Sequence, residues 1–253
     1  MSTSQFHSAT ALFDPIGLNE MDKVQLMNRV DTKFAFTQQK LLEILPVLAK
    51  DYYILKVGDN LISRYESLYY DHDLINYEDH HRGRVNRFKI RYRTYIDSKI
   101  TFLEVKHKVK GRTDKRRIPV DKIPLELSNE HYDFIKTVNP ESERLEPSLM
   151  NRFSRITLVS KQFDERLTLD IDLSFEWKGE TKLIQDIIIA ELKQGRSNRT
   201  SPFYQVMKDN YIRPLKISKY CVGIIDMYGK ENVKYNRFKK KLLQINKLQA
   251  NAS

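Results

Sequence analysis

A single cysteine, Cys221, serves a chain of 253 residues. That excludes an internal disulfide and any zinc site built on paired cysteines, and it fits a reducing compartment. Long apolar runs are missing as well. The best, Ile187-Ile188-Ile189-Ala190, falls far short of the ~20 residues a membrane-spanning helix needs. Residues Met1 to Thr10 carry neither the basic start nor the apolar centre of a secretory signal, so a cytoplasmic location is expected. Glycine and proline number 8 each, which leaves few turn residues and no low-complexity linker. No glycine-rich phosphate loop is present; Lys110-Gly111-Arg112 reads as a hairpin turn. Acidic residues are in the minority, 33 against 44 Lys and Arg, for a net charge of +11. This excess favours a polyanionic partner: nucleic acid, an anionic membrane, a nucleotide or a phosphate polymer.

What the chain does have is alternation. In Phe102 to Lys110, Leu103, Val105 and Val109 share one face of an extended segment, and Glu104, Lys106, Lys108 and Lys110 share the other. The pattern recurs. Arg29, Asp31 and Lys33 lie opposite Val30, Thr32 and Phe34; Arg87, Lys89, Arg91 and Arg93 lie opposite Phe88, Ile90 and Tyr92. Lys115 and Arg117 alternate with Arg116 and Ile118, and Arg155 with Ile156 and Leu158. Arg166, Thr168, Asp170 and Asp172 alternate with Leu167, Leu169 and Ile171, and Glu191 and Lys193 flank Leu192.

Between these strands, residues 37–49 read as an amphipathic helix capped by Thr37, with Pro46 as a bend or an early end. Residues 20–27 and 201–210 read as shorter helices. Tyr53 to Val57 and Leu61 to Tyr70 suggest a hairpin about Gly58-Asp59-Asn60. Residues 71–83 read as a polar loop, 121–150 as helix and loop, and 217–228 as a mixed segment. The organisation predicted is a lead-in over 1–19, one domain over 20–228, and a basic tail over 229–253 that is helical or disordered.

Short connections between strands predict an α+β fold with a mostly antiparallel sheet. If the apolar faces pack under helices, the charged faces line the interior. The expectation is a closed barrel of about eight strands with a wet, charged bore and helices outside. So many like charges need water and counter-anions, because two unit charges ~4 Å apart repel by about 4 kcal/mol at an effective dielectric of 20. A row of phosphates suits them: Arg offers a planar fork and Lys a point charge. The interspersed carboxylates suit a divalent cation. The alternative is a set of solvent-exposed faces on an open sheet.

The ordered motifs resemble a known family. Arg29-Val30-Asp31-Thr32-Lys33-Phe34, Ile90-Arg91-Tyr92-Arg93-Thr94-Tyr95, Phe102-Leu103-Glu104-Val105-Lys106 and Phe153-Ser154-Arg155 come first. Arg166-Leu167-Thr168-Leu169-Asp170, Ala190-Glu191-Leu192-Lys193 and Lys216-Ile217-Ser218-Lys219-Tyr220 follow. In this order they resemble the VTC domain, the polyphosphate polymerase domain of the vacuolar transporter chaperone type, one of the triphosphate tunnel metalloenzymes related to the CYTH proteins. The resemblance implies a metal-dependent enzyme that uses ATP or another nucleoside triphosphate and acts on polyphosphate or pyrophosphate. It implies Lys33, Arg91, Arg93, Lys106 and Glu191 as catalytic residues. It implies phosphate contacts at Lys33, Arg91, Arg93, Lys106, Lys115, Arg155, Arg166, Ser218 and Lys219, to which the shared strand faces add Lys89, Arg117 and Lys193. Glu191 is the implied ligand of Mn2+ or Mg2+; Asp31 and Glu104 are secondary candidates, Asp31 standing where the superfamily often has Glu. A triphosphatase or a non-catalytic polyphosphate-binding module are the alternatives. A separately encoded membrane protein is a conceivable partner, and no specific nucleic acid is expected.

Other signals read as structural. Asp71-His72-Asp73 and His80-His81 resemble metal-ligand clusters but fall in the predicted loop. Cys221 has no identifiable His partner in sequence and reads as a small buried residue. Trp177, and the run Tyr65, Tyr69, Tyr70 and Tyr77, could face a nucleobase but are equally explained by packing.

Overall fold

The computed structural model describes residues 4–21, 29–109, 112–124 and 126–250. The predicted turn at Lys110-Gly111 and most of the helix expected over 20–27 lie outside them. The chain begins α1 (Ser4–Thr10), β1 (Pro15–Ile16), α2 (Leu18–Met21), β2 (Val30–Thr37), α3 (Gln38–Leu48), β3 (Tyr52–Leu55) and β4 (Ile62–Asp71). It continues α4 (Ile75–Arg82), β5 (Arg87–Tyr95), β6 (Ile100–Val109), β7 (Arg112–Val120), α5 (Asn129–Lys136), β8 (Glu146–Ser160), β9 (Glu165–Trp177) and β10 (Glu180–Leu183). It ends β11 (Ile187–Gln194), α6 (Pro202–Asp209), α7 (Lys219–Tyr228), a short 3-10 turn (Asn236–Phe238) and α8 (Lys239–Ala250).

The sheet runs β2-β11-β9-β8-β4-β5-β6-β7, with β1, β3 and β10 attached off this path, 11 strands in all. Every neighbouring pair on the main path is antiparallel, so the α+β antiparallel expectation holds. The closed barrel of eight strands does not: β2 and β7 end the path and are not paired with each other. The reason lies at the β2 edge. The stretch entering α7 lies against it; the Leu215 amide donates to the Lys33 carbonyl at 2.7 Å, and Lys33 Nζ donates to the Ile217 carbonyl at 3.2 Å. The sheet is nonetheless curled. Lys106 of β6 lies close enough to Glu191 of β11 to affect its ionisation, although β9, β8, β4 and β5 separate them in sheet order.

Alternation explains the convex face. Phe34, Phe36, Leu158, Leu167, Leu169, Ile188 and Leu192 are buried beside Leu41, Ile44, Leu45 and Leu48 of α3 and Phe203 and Met207 of α6. Ile90, Tyr92, Leu103 and Val105 are buried with Ile135 of α5. Each such side chain, fully buried, contributes about 1.5–3 kcal/mol of transfer free energy, which fixes the parity of every strand and so the parity of the charges on the other side. Thr37 caps α3 as predicted, accepting from the Lys40 amide at 3.2 Å, and Pro46 sits within the helix without ending it.

Several local expectations are corrected. The helices are not all outside: α7 packs on the concave face, where Tyr220, Cys221, Ile224 and Ile225 meet Tyr69, Leu149, Leu173, Phe175 and Ile187. Gly223 permits this contact, because a Cβ there would stand 2.5 Å from Leu149 Cδ2 and 2.6 Å from Phe175 Cδ1. Asp172 is not an interior anion. It sits at φ 51 where the β8–β9 register shifts, with Ser154 as its hydrogen-bond partner. The shift moves apolar side chains across the sheet, leaving Ile171 in the convex core and Leu173 and Phe175 in the concave one. The predicted hairpin about Gly58 does not form as a strand pair; β3 pairs with β8 and β1 instead. Residues 75–82 are helix, because Asp71 accepts from the Asn76 amide at 2.9 Å and the Tyr77 amide at 3.1 Å and so satisfies the start of α4. Strand β8 begins at Glu146, inside the stretch 121–150 expected to be helix and loop.

Candidate functional site

Register places the charges side by side. Across β5, β6 and β7, Lys89 faces Lys106 and Lys106 faces Lys115, while Arg91 faces Glu104 and Glu104 faces Arg117. Across β8, β9, β11 and β2, Arg155 faces Asp170, Arg166 faces Lys193, Glu191 faces Lys33, and Lys193 faces Asp31. All of these lie opposite the convex core residues, and all belong to the concave face.

Three carboxylates organise the cations. Glu104 is fully buried and accepts from Arg91 Nε and Nη2 at 2.9 and 2.6 Å, with Lys115 on its other oxygen. Asp170 takes the guanidinium of Arg155 at 2.5 and 3.0 Å and also the ammonium of Lys219. Glu191 lies between Lys193, at 2.6 Å, and Lys33, at 3.4 Å. Around them, Arg93 donates to Ser67 Oγ at 3.0 Å and Lys89 to Ser218 Oγ at 2.8 Å. Ser218 itself caps α7, accepting from the Cys221 amide at 3.3 Å, so the positive end of that helix opens onto the charged face.

The site's electrostatics follow from this crowding. Burial raises the pKa of Glu104, but Arg91, Arg93 and Lys115 outweigh it and hold the carboxyl well below the usual range. Asp170 behaves alike, burial opposing Arg155 and Lys219, which prevail. At Glu191, burial is overcome by Lys193, Lys33 and Lys106. Lys89, Lys106, Lys115, Lys193 and Lys219 move the other way. Arg91, then burial, then Arg93 push the Lys106 ammonium well below its ordinary value. Burial brings Lys219 down to about 7 in spite of Asp170. A face of permanently charged guanidiniums, ionised carboxylates and lysines pushed toward neutrality would be stabilised by an anion, which recharges the lysines.

A pH dependence follows. An anion binds the protonated form of Lys219 better, and that form is lost as pH rises through about 7. Tripolyphosphate affinity is therefore expected to fall roughly three- to tenfold more steeply between about pH 6 and pH 8 in the wild type than in Lys219→Gln. Isothermal titration of both proteins across that range checks it, since protonation of the ligand itself is common to the two; parallel profiles would contradict it.

The structure gathers Lys33, Lys89, Arg91, Arg93, Lys106, Lys115, Arg155, Arg166, Lys193, Ser218 and Lys219 on or against one face with Glu191 and Glu104. Arg117 shares the face but is exposed, its guanidinium 4.3 Å from the Phe102 ring centre. Asp31 sits at the margin, paired with Arg29 at 3.0 Å, both side chains about two-fifths exposed at 41% and 39%. Alternation placed Asp170 on the charged side of its strand and gave it no partner; the structure makes it the hub for Arg155 and Lys219. It also brings in Ser67 and Tyr69, whose parity with Arg93 was readable, Tyr69 accepting from Arg91 Nη1 at 3.2 Å.

Candidates outside this face have structural explanations. Cys221 does meet a histidine, His80 Nδ1 at 3.1 Å, but the thiol is buried and the imidazole half-buried; burial raises the thiol, and burial with Lys89 and Arg87 pushes His80 down to about 2. Trp177 stacks on Tyr228 with centroids 5.5 Å apart.

Among the described residues, no three His, Cys, Asp or Glu side chains converge to hold a metal. Glu191 supplies one ionised carboxylate in a field of cations. This donor set does not fit an all-protein metal cage. It fits a Mg2+-type ion held by one or two carboxylates together with phosphate oxygens of a ligand.

A curled antiparallel sheet carries, on its concave face, ion-paired Arg and Lys about a few ionised carboxylates, an arrangement suited to holding an anion. The model of the VTC domain family matches residues 28–228, and the chain belongs to that family. No curated protein matches the sequence. Solved structures with a similar arrangement include a candidate adenylate cyclase from Bacillus halodurans, 14% identical, covering 76% of this chain and 96% of its own, with a TM-score of 0.49. A candidate adenylyl cyclase from Hippeastrum with a dominant triphosphatase activity is 14% identical, covering 77% and 94%, with a TM-score of 0.42. A protein of Pyrococcus horikoshii is 12% identical, covering 76% and 97%, with a TM-score of 0.42.

Proposed function

We propose that this protein is a metal-dependent polyphosphate polymerase that transfers the terminal phosphoryl group of ATP to the end of a growing phosphate chain along its concave face. The observation that carries the reading is the position of Glu191, ionised between Lys33 and Lys193 and within electrostatic reach of Lys106, on a face rich in cations. Membership of the VTC domain family supports it.

Phosphoryl transfer asks for alignment and neutralisation of charge more than for a covalent nucleophile. Arg91, Arg93 and Arg155 are planar forks held in place by Glu104, Ser67 and Asp170, and they can grip phosphate oxygens without reorganising. Lys33, Lys106, Lys193 and Lys219 add point charges, and a bound phosphate competes with the carboxylates for them. A divalent ion bound by Glu191 and phosphate oxygens would supply Lewis-acid polarisation of the transferring phosphorus. Glu104 serves better as the anchor of Arg91 and Lys115 than as a metal ligand, since both its oxygens are engaged. Asp31, tied to Arg29, is the weaker ligand candidate.

A polymer is favoured over a single triphosphate by the extent of the charge. Beyond the ion-paired centre, Arg87 and Lys108 continue the same face, and Lys216 and Lys241 lie within electrostatic reach of them. No helix among the described residues is long and apolar enough to cross a membrane.

Product analysis after incubation with ATP and Mn2+ tests the proposal. Phosphate polymer is expected. Free phosphate alone would replace the reading with a triphosphatase, and tight polyphosphate binding with neither product would replace it with a binding module. Displacement of a bound probe by an oligonucleotide at concentrations where tripolyphosphate fails would point to nucleic acid instead.

A further inference from the structure

The concave face is not charged throughout. Near Arg93, four rings run across adjacent strands. Phe153 of β8 is the register partner of Tyr65 of β4, and Tyr65 that of Tyr95 of β5. Phe102 of β6 is the partner of Arg93 itself. Tyr65 and Phe153 stack nearly parallel, centroids 5.2 Å apart at 2°. Tyr95 meets Tyr65 edge-on at 5.0 Å, and Phe102 meets Tyr95 edge-on at 5.9 Å. The row is graded: Tyr65 and Phe153 are buried at 8% and 3% exposure, while Tyr95 and Phe102 are only half-buried.

Its inner end is clamped by the phosphate-type cations. Arg155 lies 5.1 Å from the centres of both Tyr65 and Phe153, and Lys219 Nζ lies 4.0 Å over Phe153. Its outer end is different. Phe102 belongs to none of the hydrophobic clusters among the described residues. Its ring is covered by the exposed guanidinium of Arg117, a flat cation stacked on a flat ring. An aromatic side chain on a charged strand face, outside the core and lidded by an exposed planar group, is a stacking platform in form. A guanidinium and a nucleobase occupy that position interchangeably or stack in sequence.

We propose that Phe102 and Tyr95, with Arg117, form the base-binding end of this face, where the base of a nucleoside triphosphate stacks on Phe102 while its phosphates run inward past Arg93 to Arg91. The inference rests on the phosphate-transfer reading above and adds to it the end at which the nucleotide enters and the residues that distinguish a nucleotide from inorganic phosphate chains. Continuity carries it: Arg93, adjacent to Phe102 in register, is followed along the same strand face by Arg91 and Lys89.

The test is isothermal titration of the full chain with ATP and, separately, with tripolyphosphate, in wild type, Phe102→Ala and Phe102→Tyr. Phe102→Ala is expected to weaken ATP on the order of tenfold and to leave tripolyphosphate within about twofold, and Phe102→Tyr to restore ATP. Unchanged tripolyphosphate binding also shows that the variant is folded. Equal loss for both ligands, or an unchanged ATP affinity in Phe102→Ala, would overturn the assignment while leaving the phosphate site intact. If neither ligand binds the wild type, the phosphate-transfer reading fails and this inference fails with it.

Discussion

Glu191→Gln is expected to lower ATP turnover by roughly 100-fold or more while binding tripolyphosphate at least as tightly as the wild type. The two halves of this prediction come from one geometry. Glu191 is ion-paired with both Lys33 and Lys193 and holds their ammonium groups at 3.4 and 2.6 Å. Neutralising it releases both cations to an incoming phosphate, so ground-state binding is not lost. What is lost is an anionic oxygen donor that, unlike Glu104 and Asp170, is not tied to an arginine, and with it the means of holding a divalent ion against the transferring group. Side-chain volume is kept, so packing is not the cause. Steady-state kinetics with ATP and Mn2+, alongside titration with tripolyphosphate, measure both halves. Wild-type turnover in the variant would remove Glu191 from the site. The pH sign is also set. The neighbouring lysines hold its carboxyl well below the ordinary carboxylate range, so its stabilising contribution is fully present above that range and is lost only as pH falls through the depressed value. Glu191 therefore shapes no limb of a pH–rate profile near neutrality.

Arg91→Ala is expected to cost both stability and phosphate binding. The Arg91 side chain is 8% exposed and its partner Glu104 fully buried, 0%. Removing one member of a buried pair typically costs about 3–5 kcal/mol, because the remaining charge stays desolvated. Lys115 retains part of the compensation, so the lower end is expected, a drop in melting temperature on the order of 10 °C for a chain this long. Stability and recognition are separable through the double variant Arg91→Met with Glu104→Leu. Exchanging a buried pair for apolar side chains is often neutral or stabilising, so thermal melting should largely recover, whereas tripolyphosphate binding should stay lost. Recovery of binding together with stability would show that Arg91 acts on the fold alone. The linkage sign matches that of Glu191: Glu104 and Asp170 are depressed by Arg91 and by Arg155 with Lys219, so their contribution is present above the ordinary carboxylate range and lost on acidification.

The charged face was legible in the sequence because strand periodicity has an exact physical cause. Burial of Ile90, Tyr92, Leu103 and Val105 fixes one face, and Lys89, Arg91, Arg93, Glu104 and Lys106 are then on the other by parity alone. The same reasoning failed where parity breaks. At Asp172 the backbone turns to φ 51 and the register shifts, so a residue that alternates with the interior anions pairs with Ser154 instead. It failed also where a contact is remote. Nothing local indicates that Cys221 meets His80, that Asp71 takes the Tyr220 hydroxyl while capping α4, or that the Leu215 amide occupies the edge of β2. That last contact is why the predicted barrel is an open, curled sheet.

By itself, the sequence determined the antiparallel α+β class, the side of each strand on which charge falls, and the ordered motifs that mark the VTC domain family, because these depend on neighbours in the chain. Only the tertiary structure decided which carboxylate serves which cation. Asp170 holds Arg155 and Lys219, Glu104 holds Arg91 and Lys115, and Glu191 stands between Lys33 and Lys193. Ion pairing depends on distance through space between strands far apart in the chain, and that distance is set by sheet register, curl and the placement of α7, none of which is encoded in any single segment.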